Sequence, residues 1–196
     1  FDEGNFPAVE MIELTTGKKW KISDKGDYTK YPMSYPFGGV VFSPDSKQVA
    51  YGWSVERYEG KNFIWQTEIH LVNVDGSENQ VMVSDTLIYT VTDWSGDGKY
   101  LLGYKATLLR FRQDKNEKNQ LYLISIQDKS EKLIADLGNR KIESASFTND
   151  GKFVVFNAQA EFKSENYDIY SVPIDGGTPT PLITNREYDS GPKRIP

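Results

Sequence analysis

The sequence predicts an all-β chain, a β-propeller built of four-stranded antiparallel blades. Three observations carry this: an internal repeat, short apolar runs bounded by turn residues, and a surplus of aromatics without any helical period. VVFSPDSKQVAY (40–51), TDWSGDGKYLLG (92–103) and SASFTNDGKFVVF (144–156) share one pattern, and their aromatics Phe42, Trp94 and Phe147 lie 52 and 53 residues apart. Each reads as a strand, a tight Asp turn followed by Lys, and a second strand, the signature of a hairpin. A second unit follows each: TEIHLVNVDGSENQVMVS, NQLYLISIQDKSEKLIAD and YDIYSVPIDGGTPTPLIT. A further copy, AVEMIELTTGKKWKIS, stands alone near the N-terminus, and aligning Leu14, Val74, Ile126 and Ile174 superposes all four. Every full module therefore holds strands a to d. Its second hairpin is apolar on both faces, and such strands must be covered on both faces. Tandem antiparallel modules packed face to face are the blades of a propeller. Helical solenoids are excluded, because no stretch of 11 to 18 residues keeps a 3.6-residue period.

Taken in order, the chain predicts a partial blade of strands c and d with a long aromatic loop (1–36). Blades at 37–85, 86–138 and 139–185 follow, and 186–196 starts the next. That makes about three complete blades with partial blades at both ends. A closed ring of four would need a blade without its b strand, and open sheet edges template aggregation. The favoured expectation is therefore part of a ring of six to eight blades. TLLRFRQDKNEKNQ, from 107 to 120, is the most helix-like stretch and is open to a short helix or an irregular insertion.

Composition excludes several chemistries. The 23 basic and 28 acidic residues leave a net charge of -5, whose field repels a phosphate backbone, so nucleic acid is not an expected partner. No apolar run reaches the roughly 18 to 20 residues of a membrane span, so membrane insertion is not expected. Cysteine is absent, removing disulfides, zinc thiolates and thiol nucleophiles. The one histidine, His70, aligns with Tyr122 and Tyr170 and reads as a packing residue of strand c. No G-x-S-x-G elbow occurs, so no catalytic residue is assigned. Asp75-Gly76, Asp97-Gly98, Asp150-Gly151 and Asp175-Gly176 read as turns, in which Asp caps and Gly supplies positive φ. None has the alternating oxygen ligands of a calcium loop, so neither metal nor cofactor is expected.

FSPDSKQVAY followed by EIHLVNVDGSENQVMVS, and FTNDGKFVVF followed by YDIYSVPIDGGTPTPLIT, resemble the WD-like repeats of the TolB-like propeller family. They also resemble the non-catalytic propellers of prolyl oligopeptidase and dipeptidyl peptidase enzymes. Gly98 and Gly151 match the family's turn, whereas Ser46 replaces its glycine, and Gly96 and Asn149 replace its proline. The resemblance implies a non-enzymatic scaffold, a protein or peptide partner, and a bacterial periplasmic or otherwise extracytoplasmic setting. The alternatives are an accessory propeller that gates the substrate of a hydrolase, and a carbohydrate-binding or lyase propeller.

Candidate binding residues gather in the loops joining b to c and d to the next a. From Leu14 to Phe42 is 28 residues against 20 or 21 in the other copies, and the added length holds Tyr28, Tyr31, Tyr35 and Phe37 among Pro32 and Pro36. Aromatics stiffened by prolines make contact surfaces of low entropy cost, or a plug for the propeller's own channel. Trp53, Tyr58, Phe63 and Trp65 could stack on sugars or peptide side chains, or extend strands b and c as a longer hairpin. Arg110 and Arg112 flank Phe111 and would present two guanidinium groups on one side of a strand, fit for carboxylate or phosphate, or pair with Asp114 and Glu117. Tyr188 completes the candidate set.

Overall fold

The computed structural model describes residues 8–23, 35–107, 117–185, 188–189 and 191–192. These hold fourteen strands and no helix. The strands are β1 (Glu10–Ile12), β2 (Lys19–Lys21), β3 (Tyr35–Phe42), β4 (Gln48–Glu59), β5 (Asn62–Asn73), β6 (Gln80–Asp85), β7 (Ile88–Trp94), β8 (Tyr100–Ala106), β9 (Asn119–Ser125), β10 (Glu131–Asp136), β11 (Ile142–Phe147), β12 (Phe153–Gln159), β13 (Tyr167–Pro173) and β14 (Thr180–Ile183). β1 and β2 pair alone. β3 to β6, β7 to β10 and β11 to β14 form three four-stranded sheets, each an antiparallel meander in chain order. The fold is an all-β partial propeller.

The strands form because each turn between them is chemically specified. In the three a–b turns, Ser43, Ser95 and Thr148 donate a hydroxyl hydrogen bond to Asp45, Asp97 and Asp150 at 2.7, 2.7 and 2.6 Å. The same carboxylates accept the backbone N–H of Lys47, Lys99 and Lys152 at 3.1 Å. These bonds, the hydroxyl's first, hold all three carboxyls below their ordinary value. The next residue is left-handed in each copy, with φ of 59° at Ser46, 76° at Gly98 and 66° at Gly151. Ser46 thus keeps the geometry its glycine counterparts adopt without steric cost, because the Asp network fixes the turn around it.

Packing follows from strand parity. On β4, Val49, Tyr51, Trp53 and Val55 face a core shared with Ile22, Met11 and Trp20 of the N-terminal hairpin, while Ala50 faces the second sheet. On β8, Leu101 joins the core toward the first sheet and Leu102 the core toward the third. The first and second sheets thus each contribute alternate residues to two neighbouring cores, and the third contributes to one. The N-terminal hairpin is further tied to the first sheet by Trp20 Nε1, which donates to the Val74 carbonyl at 2.7 Å. The second and third sheets are tied by Asp93, whose Oδ2 accepts from Ser146 Oγ and Phe147 N, both at 2.8 Å. Inner strands β3 and β7 approach so closely that a Cβ at Gly39 would lie 1.9 Å from the Val91 carbonyl oxygen, which only glycine permits.

Between the first and second sheets the apolar core gives way to an ion cluster. Gly103 faces Tyr122 in the ladder, where the first and third sheets have Tyr51 facing His70 and Phe156 facing Tyr170. The space left by the missing side chain admits the Tyr89 ring, against which a Cβ at Gly103 would lie at 2.9 Å. Lys105 Nζ then sits 4.8 and 4.6 Å from the ring centroids of Tyr89 and Tyr122, and bonds Asp85 at 2.7 Å and Glu131 at 2.9 Å. Burial opposes the ammonium, but the two carboxylates more than offset it and hold the lysine above its ordinary pKa. Asp85 belongs to the first sheet and Glu131 to the second, so one cation joins two blades. Lys105→Ala should lower the unfolding free energy in urea by about 3 kcal/mol, since it leaves two carboxylates without their cation and opens a void. Lys105→Met keeps the stem's packing and should cost less. Equal stability of Lys105→Ala and the parent would contradict this role.

Candidate functional site

A meander reverses at alternate edges, so the b–c turns and d–a connections share one face of the propeller. The Asp turns occupy the other. On the first face β4 and β5 stand apart: both are 12 residues long, roughly 40 Å at 3.3 Å per residue, against seven in β8 and β9. Described pairing with β3 ends at Ser54 and with β6 at Thr67, so the hairpin projects beyond its neighbours. Residues 53–66 therefore extend strands b and c, the longer-hairpin alternative.

Parity sorts its aromatics. Glu56 lies opposite Trp65, and Tyr58 opposite Phe63, which puts all four on one face. Phe37 meets Trp65 edge-on at 6.4 Å, Tyr35 meets Phe37 at 6.5 Å, and Tyr35 Oη donates to Glu56 Oε1 at 3.3 Å. Farther out, the rings of Tyr58 and Phe63 lie 5.3 Å apart, and Tyr58 is 69% exposed. An aromatic face thus runs from the inner strand to the hairpin tip, with the buried Glu56 beneath it. Trp53 has the opposite parity. It is buried against Tyr51 and His70, with ring centroids at 6.2 and 6.4 Å, and supports the hairpin from inside. His70 stacks on Tyr51 at 5.2 Å and bonds Asn79 and Glu68, the packing role its alignment with Tyr122 and Tyr170 predicts.

A second cluster lies on the third sheet. Tyr188 packs on Tyr167 with ring centroids 5.2 Å apart, and its hydroxyl donates a short hydrogen bond to Glu143 Oε2, which Asn157 Nδ2 also reaches at 2.8 Å. The sequence named Tyr188 as a candidate but passed over Glu143 and Tyr167, whose proximity depends on a bulge and a long-range approach. It also left Phe37 outside the site set, although parity with Tyr35 places both on one side of the strand. Tyr28, Tyr31, Arg110 and Arg112 lie outside the described residues. On the opposite side of the blades, an open cavity of about 340 Å³ is lined by Lys18, Trp20, Val74 and Asp75.

Among the described residues no group of three His, Cys, Asp or Glu side chains is placed to hold a metal ion, and no helix is long and apolar enough to cross a membrane. No family model matches the chain, and no curated protein sequence does. Solved structures do match. TolB from Acinetobacter baumannii superposes with a TM-score of 0.57 at 20% identity, covering 90% of this chain and 37% of that one. The fold is similar to a TolB-like propeller. The β-propeller domain of the trilobed protease from Pyrococcus furiosus gives 0.51 at 12% identity over 78% of this chain and 43% of that domain's. Pyrococcus horikoshii acylaminoacyl peptidase gives 0.53 at 12% identity over 79% of this chain and 26% of its own. The chain thus covers less than half of the length of each of these three.

The hydrogen bond to Glu143, with burial and that residue's charge adding to it, pushes the Tyr188 phenol up to about 12. Glu143→Gln should return it toward the ordinary tyrosine value of about 10. An NMR titration following the Tyr188 ring carbons reads the difference, and an unchanged midpoint would contradict the assignment.

Proposed function

We propose that this chain is a non-enzymatic propeller module that binds a protein or peptide partner through the face carrying the b–c and d–a loops. The observation that carries this reading is the aromatic face of the projecting hairpin, Tyr35, Phe37 and Trp65 running on to Tyr58 and Phe63. Large aromatic side chains dominate the energetics of interfaces, and a two-stranded ladder anchored in a blade presents them with little left to order on binding. Tyr28, Tyr31, Arg110 and Arg112 belong to the same proposed surface on sequence grounds. An extracytoplasmic setting accompanies the reading, supported by the resemblance of the repeats to TolB-like propellers.

A second reading is favoured by the likeness to the propellers of two peptidases: the module would stand beside a hydrolase and admit its substrate. The two readings share the loop face and differ in what lies outside it.

Peptides selected from a random library on the immobilised chain should bind through the hairpin. In isothermal titration, Tyr58→Ala with Trp65→Ala should weaken a selected peptide at least tenfold. Unchanged affinity, or failure of any peptide to be selected, would overturn the reading. Binding confined to a glycan array would replace it with a carbohydrate partner.

A further inference from the structure

We propose that Glu143, framed by the rings of Tyr167 and Tyr188, is a recognition site for an organic cation, the ammonium or guanidinium of a lysine or arginine in the partner. This rests on the loop face being the binding face and specifies what it reads there.

The argument begins with the backbone. Pairing of β11 with β12 skips from Ile142 opposite Ala158 to Ser144 opposite Asn157, so Glu143 is the extra residue of a bulge. A bulge re-aims a side chain out of the ladder, and Glu143 is exposed. The carboxylate is nonetheless held in place. Asn157 Nδ2 and Tyr188 Oη both donate to Oε2, while Oε1 takes no hydrogen bond among the described residues. Tyr188 is itself anchored, because the next residue's N–H, that of Asp189, donates to the Tyr167 carbonyl at 3.0 Å. The two rings meet at 57°, forming a corner beside the acid.

The charge distribution says what fits the corner. Asp85 and Glu131 share Lys105, Asp97 has Lys99 and Asp175 has Lys132. Glu143 takes part in no salt bridge among the described residues, and its two donors are neutral. Asp189, next to Tyr188, is likewise met by the neutral amide of Asn185, at 3.1 and 3.2 Å. Neutral donors orient a carboxylate without cancelling its charge. Tyr104 on the second sheet and Tyr167 also feel Glu143, which adds to burial in raising both phenols. A carboxylate with a free oxygen beside two π faces is the arrangement that attracts an organic cation. A calcium ion would take six to eight oxygens, and among the described residues no group of three His, Cys, Asp or Glu side chains is placed to hold a metal ion. The net charge of -5 steers a basic partner toward the same chain.

The test uses the full chain and three probes: N-acetyl-arginine amide, N-acetyl-lysine amide and the neutral N-acetyl-norleucine amide. Both cations should shift the NMR resonances of the Tyr167 and Tyr188 rings saturably, the norleucine amide should not, and Glu143→Gln should raise the dissociation constant at least fivefold. Tyr58→Ala, on the distant hairpin, should leave it unchanged. Norleucine amide binding as well as lysine amide, calcium chloride producing the same shifts, or an unchanged constant in Glu143→Gln would each overturn the proposal. A selected peptide whose affinity depends on Trp65 but not on Glu143 would overturn this site alone and leave the proposed function standing.

Discussion

Everything in this chain depends on one constraint: each sheet is apolar on both faces and must be covered on both. Successive residues of a strand point to opposite sides, so Val49 and Ala50, or Leu101 and Leu102, are assigned to different cores simply by being adjacent. Blades consequently stabilise their neighbours rather than themselves. The third sheet shows the consequence where coverage stops. Leu182 occupies the place of Met82 and Ile134, which are 4% and 2% exposed beneath the next sheet, yet Leu182 is 55% exposed.

The same parity builds the candidate site. Because β4 and β5 continue past their sheet neighbours in unbroken register, side chains that would have entered an inter-blade core emerge instead on an open surface. Tyr58, Phe63 and Trp65 are the continuation of the row that begins with Ala50 and Ile69, with Glu56 buried in the same row. The hairpin needs its other row as well, and Trp53 and Val55 root it in the core over β1 and β2. The ion cluster around Lys105 is a local exception, in which a missing aromatic at Gly103 is replaced by a tyrosine from β7 and a cation from β8.

What was legible in the sequence was whatever repeats locally. The Asp turns followed by Lys and the aromatics at Phe42, Trp94 and Phe147 recur 52 and 53 residues apart, each inside a four-strand module, and the structure has them where the repeats align. Ser46 was legible as a departure and proves to hold the same left-handed turn. The sorting of Trp53 away from Tyr58 was present in their odd spacing, but needed the knowledge that the hairpin stays in register to its tip. Glu143 was not legible: its exposure comes from a bulge, and its partners Asn157, Tyr167 and Tyr188 lie 14 to 45 residues away. Lys105 was equally hidden, since a lysine in a strand reads as a solvated face until the neighbouring blade supplies Asp85.

The central claim, that stability resides in two-sided coverage, is tested most directly by native-state hydrogen exchange. The account predicts the slowest exchange for amides of β8 and β9, whose sheet is covered on both faces, and markedly faster exchange for β14 and for the β1–β2 pair. Uniform protection across all three sheets, or slower exchange in β14 than in β8, would contradict it.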